Sequence, residues 1–232
     1  MSEGIIGNIT AVMYYMFFVI SGIIIMFRLL NSQKLSIMFK CLLGSVFGTL
    51  EFQWMPIIFA FFMDFTVKAH ICALVIQVLV FILVILKTNR EQGFINTYKK
   101  TIEWKRFFWE NPASIIIFAS FVIFAYCLNT HTILLNSDGS LHTGQATYGD
   151  MNMHIGFITS IAKQHTFPPE YSIYPGVKLA YPFLSDSISS SLYLLGASLR
   201  VAYIIPMLVA VMQVFCGFYC FIKFWFKKGS VA

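Results

Sequence analysis

An acid and a histidine stand four residues apart in a long polar stretch of this otherwise apolar sequence. Asp150 follows Gly149 and precedes His154 within "TYGDMNMHIGF". On a helix, residues at positions i and i+4 share a face and can interact. A carboxylate beside an imidazole can form a general base with its orienting partner, or the two can ligate a divalent metal ion. The spacing makes Asp150 and His154 candidate catalytic residues.

Both side chains also have simpler interpretations, which stay open from the residues alone. An Asp at the start of a helix is commonly only an N-cap, and His154 can be a solvated or interfacial histidine. His131, His142 and His165 have no spacing that completes a metal site, so we interpret them as structural.

The elements that must position this pair are two helices separated by an aromatic segment. Apolar residues at helical spacing after Asp150 predict an N-capped helix along the membrane surface, and the Phe-Pro-Pro run at 167–169 predicts its end. Prolines and tyrosines from Tyr171 to Pro182 predict an irregular segment held by packing instead of by backbone ladders. A second interfacial helix is predicted from Asp186 to Leu195.

The composition excludes an ordinary soluble domain. Of the 232 residues, 58% are hydrophobic and only 11% charged, with a mean hydropathy of +0.76, whereas soluble domains carry about 25% charged residues. The sequence therefore predicts a multi-pass membrane protein. Its excess of Lys and Arg lies beside apolar runs, which indicates membrane orientation and not nucleic-acid binding. The five cysteines fall inside apolar runs, so neither a disulfide framework nor a cysteine-based zinc site is indicated.

Five segments predict membrane spans, since a spanning helix needs about 20 mostly apolar residues. They run from Ile9 to Leu30, Leu35 to Met63, Ile71 to Lys87, Ala113 to Leu135 and Leu199 to Ile222. The second contains Gly44, Gly48, Glu51 and Pro56, which predict a broken or partly re-entrant crossing. Glu51 is a functional candidate there, or an interfacial residue if the break places it at the membrane surface.

The distribution of charge predicts the topology. With the N-terminus outside and the C-terminus cytoplasmic, five crossings leave only Lys68, Lys163, Lys178 and Arg200 of the basic residues outside. The prediction is an all-α transmembrane bundle in the plasma membrane, with an amino-terminal part at 1–112 and a second part at 113–232. The second part includes a large outer loop at 136–198. The basic, aromatic segment from Thr88 to Asn111 predicts an interfacial amphipathic segment with an aromatic belt, with a specific partner site as the alternative.

The order of motifs in the second part resembles a known family. A span is followed by Gly-Asp-x-x-x-His, Phe-Pro-Pro, the Tyr-Pro-Gly turn at 174–176, Tyr-Pro-Phe at 181–183 and another span. This order is similar to the amino-terminal catalytic loop of the GT-C membrane glycosyltransferases, in the branches related to protein mannosyltransferases and lipid A aminoarabinose transferases. The resemblance covers roughly Ala113 to Ile222.

The resemblance implies a transferase of sugars from a polyprenyl-phosphate donor to a cell-envelope acceptor. Asp150 matches the essential loop acid, as general base or metal ligand, and His154 would be its neighbour. Tyr174, Lys178 and Tyr181 would meet the donor phosphate or sugar. The expected partners are membrane lipid and the lipid-linked sugar. A divalent metal is a possible cofactor, although Met151 replaces the second acid that many relatives carry after the first.

The same resemblance implies further spans beyond those present here, so we expect a fragment or a split enzyme whose partner chain supplies them. The alternative from the sequence is a non-catalytic membrane subunit, or a transporter-like protein, of a cell-envelope polysaccharide system. Few polar residues in the spans and the concentration of polar residues in the outer loop favour the enzyme.

Overall fold

The computed structural model describes residues 2–33, 35–91, 112–144 and 148–226. Most of the basic segment from Thr88 to Asn111, which is predicted to lie at the interface, is outside the described residues.

Five long helices make up most of the described chain. They are α1 (Ser2–Leu29), α2 (Ile37–Met63), α3 (Val67–Glu91), α4 (Pro112–Thr132) and α7 (Leu199–Phe226). Each contains a stretch that is long and apolar enough to cross a membrane. The prediction of an all-α, multi-pass bundle with five spans is confirmed.

Two short hairpins and two shorter helices connect α4 to α7. In chain order they are β1 (Ile133–Leu135), β2 (Leu141–Thr143), α5 (Tyr148–Gln164), β3 (Glu170–Tyr171), β4 (Tyr174–Lys178) and α6 (Leu184–Leu194). β1 pairs antiparallel with β2, and β3 pairs antiparallel with β4. α5 ends three residues before Phe167, as the Phe-Pro-Pro run predicts, and His165 follows it in the left-handed conformation with φ of 52°.

Two predictions for this region are wrong in detail. The segment from Tyr171 to Pro182 is not held by packing alone, because β3 and β4 form a backbone ladder with Glu170 opposite Lys178. The second helix begins at Leu184, and it buries a polar face that includes Asp186 and Ser190. Small serine side chains allow α6 to pack closely against α5, α7 and the first two spans.

The predicted break in the second span is also absent. α2 is one continuous helix that contains Pro56. A Cβ atom added to Gly22 of α1 would lie 2.5 Å from the backbone oxygen of Gly44, and one added to Gly48 would clash with the backbone oxygen of Phe18. The two glycines of α2 therefore form a Gly-x-x-x-Gly surface that lets α1 and α2 approach closely, as small residues do in membrane helices.

The connections predicted to face outward meet at one end of the bundle, here called the loop end and defined by residues 133–144 and 148–198 with the start of α1 and the α2–α3 turn. The backbone N–H of Ser198 donates to Asn8 Oδ1 at 2.7 Å, and that of Phe167 donates to Asp64 Oδ1 at 3.0 Å. This grouping agrees with an odd number of crossings. The orientation of the termini stays a prediction.

Candidate functional site at the loop end

Side chains of the first three spans hold α5 and α6 in place. Gln53 Nε2 donates to the backbone oxygen of Leu184 at 2.6 Å, just where α6 begins. His70 Nε2 lies 2.9 Å from Ser191 Oγ on the same helix. Phe157 of α5 packs into a buried apolar cluster with Phe65 at the α2–α3 turn. The site described next therefore rests on the transmembrane bundle and not on a free loop.

Asp150 lies inside α5 and not at its cap. The helix begins at Tyr148, so Asp150 occupies the first turn, where a carboxylate is favoured by the helix dipole. Its side chain is exposed, and within the described residues it has neither a hydrogen bond nor an ion pair. It shares a face with His154 by spacing, but the predicted contact between the two is replaced by another.

His154 pairs with Asp186 of α6. The imidazole Nδ1 lies 3.1 Å from both carboxylate oxygens. The Asp186 side chain is 9% exposed, whereas that of His154 is 32% exposed. With Nδ1 turned to the carboxylate, Nε2 is the nitrogen left to meet a ligand, and in the described part of the chain it has no hydrogen-bond partner. This is the arrangement of a base whose ring a carboxylate orients.

Burial perturbs the carboxyl group of this pair. Desolvation raises the pKa of Asp186 above its usual range, and the hydrogen bond from His154 and its charge lower that pKa in part. Asp186 is therefore a buried acceptor whose contact with His154 Nδ1 fixes the orientation of the ring.

Tyr181 is the predicted substrate-binding residue that the structure brings to His154. The ring centroids of the two lie 6.2 Å apart, and that of Tyr181 lies 5.3 Å from that of Phe157. Tyr181 is partly exposed. An exposed aromatic ring beside a base offers an apolar face on which part of a ligand can stack.

Tyr174 and Lys178 lie apart from this pair, on the β3–β4 hairpin. Lys178 Nζ is 3.4 Å from Glu170 Oε1, and Tyr174 is 68% exposed opposite Tyr171 in the ladder. The Gly176 N–H and Lys178 hold the pKa of the Glu170 carboxyl below its usual range. The charge of Lys178 is thus already partnered, which weakens its predicted role in binding the donor phosphate.

A cleft lies along α5 and the β3–β4 hairpin. It has a volume of about 610 Å³, with Gly156, Ser160, Lys163, Tyr171 and Ser172 among its walls. Neither His154 nor Asp186 lines it, but Phe157 does, and Phe157 also lies beside His154 with 6.4 Å between ring centroids. Lys163 Nζ lies 5.9 Å from the centre of the Tyr193 ring. The cleft therefore offers hydroxyl groups and a cation on a face of α5 other than that of the base.

Asp186 is the residue that sequence reasoning missed as a site residue. It stands 32 positions from His154, and the sequence indicated only that it begins a helix. One signal was available, because Asp186 is the only acid after Glu170. In the described residues no three His, Cys, Asp or Glu side chains group as a metal site. His154 and Asp186 alone are fewer ligands than the three that catalytic zinc sites use.

Comparison of the chain with protein-family models, with curated proteins and with solved structures gave no match.

Proposed function

We propose that this chain is a membrane glycosyltransferase-like protein that transfers a sugar from a polyprenyl-phosphate donor to a cell-envelope acceptor at the outer face. The observation that carries the proposal is the contact of His154 Nδ1 with both oxygens of the buried Asp186. An oriented imidazole at one end of an apolar bundle suits a reaction between a hydroxyl and a lipid-anchored donor. The order of motifs around Asp150 supports the same reaction class.

In the proposed reaction His154 is the general base. Nε2 takes the proton of an acceptor hydroxyl as its oxygen forms a bond to the anomeric carbon of the sugar. The bond from that carbon to the phosphate oxygen breaks, and its electron pair leaves with the polyprenyl phosphate. Asp186 orients the ring and stabilises the imidazolium that results.

Two other side chains of α5 complete the proposed site. Asp150, one turn before His154 and exposed, can accept a hydrogen bond from the acceptor or act as a second base. Lys163 can offset the charge of the leaving phosphate, since it lines the cleft and has no carboxylate partner among the described residues. The five helices that are long and apolar enough to cross a membrane support this part of the proposal, because a donor with an isoprenoid tail is held in the bilayer.

The test is sugar transfer by the purified chain in proteoliposomes. The donors are polyprenyl phosphates carrying radiolabelled mannose or aminoarabinose, with a cell-envelope lipid extract as acceptor, and the readout is release of polyprenyl phosphate. We expect wild-type turnover with one donor, and its loss in His154→Ala and Asp186→Asn. His131→Ala is the matched control, because His131 is exposed and, among the described residues, its ring contacts only the backbone oxygen of Cys127 in its own helix. Full turnover in His154→Ala, or none in the wild type even after native membrane extract is added to supply a partner chain, would refute the proposal.

A further inference from the structure

A second polar cluster lies inside the bundle, away from the loop end. Ser21 of α1, Glu51 of α2 and Gln77 of α3 meet there, each at least two turns from both ends of its helix. Gln77 Nε2 donates to Ser21 Oγ and to Glu51 Oε2, both at 2.8 Å. The three residues are 2%, 9% and 0% exposed respectively. All three helices are candidate spans, so the cluster lies at membrane depth.

The charge of Glu51 has no partner in this setting. Within the described chain no Lys, Arg or His forms an ion pair with it. An ionised carboxylate taken out of water costs several kcal/mol unless an opposite charge lies beside it, and ionisable residues inside membrane spans are functional candidates for that reason. The negative charge of Glu51 must therefore be neutralised, either by a proton or by a bound cation.

Two further oxygens of the cluster are also free to accept. Gln77 Oε1 is buried without a hydrogen-bond partner in the part of the chain that the structure describes. The Ser21 hydroxyl gives its proton to the backbone oxygen of Phe18 at 3.0 Å and accepts from Gln77 Nε2 with one lone pair, so its other lone pair is left for a ligand. Buried polar atoms without partners are rare and call for an explanation. In this cluster the Gln77 amide protons satisfy the carboxylate and the hydroxyl, and the Gln77 amide oxygen is left unsatisfied.

We infer that Ser21, Glu51 and Gln77 form a binding site for a small monovalent cation of the sodium type. Rotation of the Gln77 carboxamide about its last torsion exchanges Nε2 for Oε1, which turns three oxygen ligands from three helices to one point. Oxygen ligands are those that hard cations prefer, and a single carboxylate balances a single positive charge. The site is independent of the proposed sugar transfer, because none of its residues lies at the loop end.

The site also assigns a role to the packing of the first three spans. Each ligand comes from a different helix, so a bound cation joins α1, α2 and α3 at one point. A cation that binds the folded bundle and not the unfolded chain raises stability as its concentration rises above the dissociation constant.

The test is thermal unfolding of the purified chain in detergent, followed by tryptophan fluorescence. Sodium chloride is titrated against N-methyl-D-glucamine chloride at constant ionic strength and pH 7. We expect the unfolding midpoint to rise with sodium in the wild type and to be insensitive to sodium in Glu51→Gln. Because that variant removes the buried charge, its midpoint without sodium should match or exceed that of the wild type, which shows that it folds. Ser21→Ala should need a higher sodium concentration for the same shift.

The matched control is Glu170→Gln, which removes a carboxylate at the loop end and should leave the sodium effect intact. Three results would overturn the inference. They are no sodium-dependent shift in the wild type, an equal shift in Glu51→Gln, and equal shifts with potassium, magnesium and sodium. Stabilisation of the wild type by acid alone would show that Glu51 takes up a proton instead.

Discussion

His154 Nδ1 lies 3.1 Å from both carboxylate oxygens of Asp186, a residue of the following helix. The contact joins α5, which carries the candidate loop acid, to α6, which packs among the spans. The two side chains differ in access to a substrate. The imidazole is 32% exposed and can contact one, whereas the carboxylate is 9% exposed and contacts the imidazole. Substitutions of His154 and of Asp186 should therefore differ in their effects on sugar transfer and on stability.

Exchange of Asp186 for Asn should leave the protein as stable as the wild type, or more so, at pH 7. Burial raises the pKa of Asp186, so the folded protein holds that proton more tightly than the unfolded chain does. The contribution of Asp186 to stability is then full below the unfolded value and is lost as the pH rises through the folded pKa. The difference in unfolding midpoint between Asp186→Asn and the wild type should shrink as the pH falls toward 4. Each kcal/mol corresponds to about 2–4 °C in the apparent midpoint.

Glu170→Gln is the control of opposite sign for that pH series. Its carboxyl has a lowered pKa, so its contribution is present above the unfolded value and is lost as the pH falls. A variant Asp186→Asn that is clearly less stable than the wild type at pH 7, but equal at pH 4, would show that the ion pair with His154 outweighs the cost of burial.

The two candidate bases, Asp150 and His154, should differ in whether added imidazole restores sugar transfer after substitution. Asp150→Asn should abolish or strongly reduce sugar transfer while membrane insertion is unchanged, as the family resemblance implies for the loop acid. His154→Ala should also lose transfer, but added imidazole should restore part of it because the side chain is 32% exposed and its removal opens a path. Full activity of both variants without added imidazole would show that neither side chain of α5 takes part in the reaction.

Lys163 and Lys178 should contribute unequally to donor binding. Lys163 lines the cleft, whereas Lys178 is held by Glu170 at 3.4 Å. Loss of one charged hydrogen bond, about 1.5–3 kcal/mol, corresponds to about a 10- to 100-fold rise in the apparent KM for the donor in Lys163→Ala. Lys178→Ala should change it little. The measurement is a donor titration that compares the apparent KM of the two variants. A larger rise in Lys178→Ala than in Lys163→Ala would indicate that the phosphate binds at the hairpin.

Gly48→Ala should destabilise the bundle more than a similar change elsewhere. The added methyl group would clash with the backbone of Phe18, which cannot move aside as a flexible side chain can. Overpacking of this kind costs about 1–3 kcal/mol. Gly217→Ala in α7 is the matched control, because its Cβ would meet only the end of Leu42 at 3.9 Å. Equal unfolding midpoints of the two variants would contradict the close packing of α1 on α2.

Sequence reasoning reached the spans because length and hydropathy are local properties. It misjudged α2 for a physical reason: Gly44, Gly48 and Pro56 disfavour a helix in water, but in a membrane the helix keeps its internal hydrogen bonds and small residues serve for packing. The same reasoning found α5 from its periodicity, although it placed Asp150 at the cap and not in the first turn.

The candidate site was only half accessible from the sequence. Asp150 and His154 are close along the chain, so their spacing was visible. The pairing of His154 with Asp186 depends on how α6 packs against α5 and the spans, and no local pattern encodes that. Lys178 illustrates the same limit. Its contact with Glu170 exists because the two residues face each other in the β3–β4 hairpin, and the prolines of that segment argued against a hairpin in the sequence.

The bond between Asn8 and Ser198 joins residues 190 positions apart, and this separation has a consequence for biosynthesis. Chains are made from the amino terminus, so the first helix enters the membrane long before its partner at the loop end exists. Until residue 198 has emerged, the start of α1 and the end of α6 are both incomplete. The His154–Asp186 pair should therefore assemble late, and ribosome-bound chains that have not yet exposed residue 198 should be readily cut by protease at the loop end.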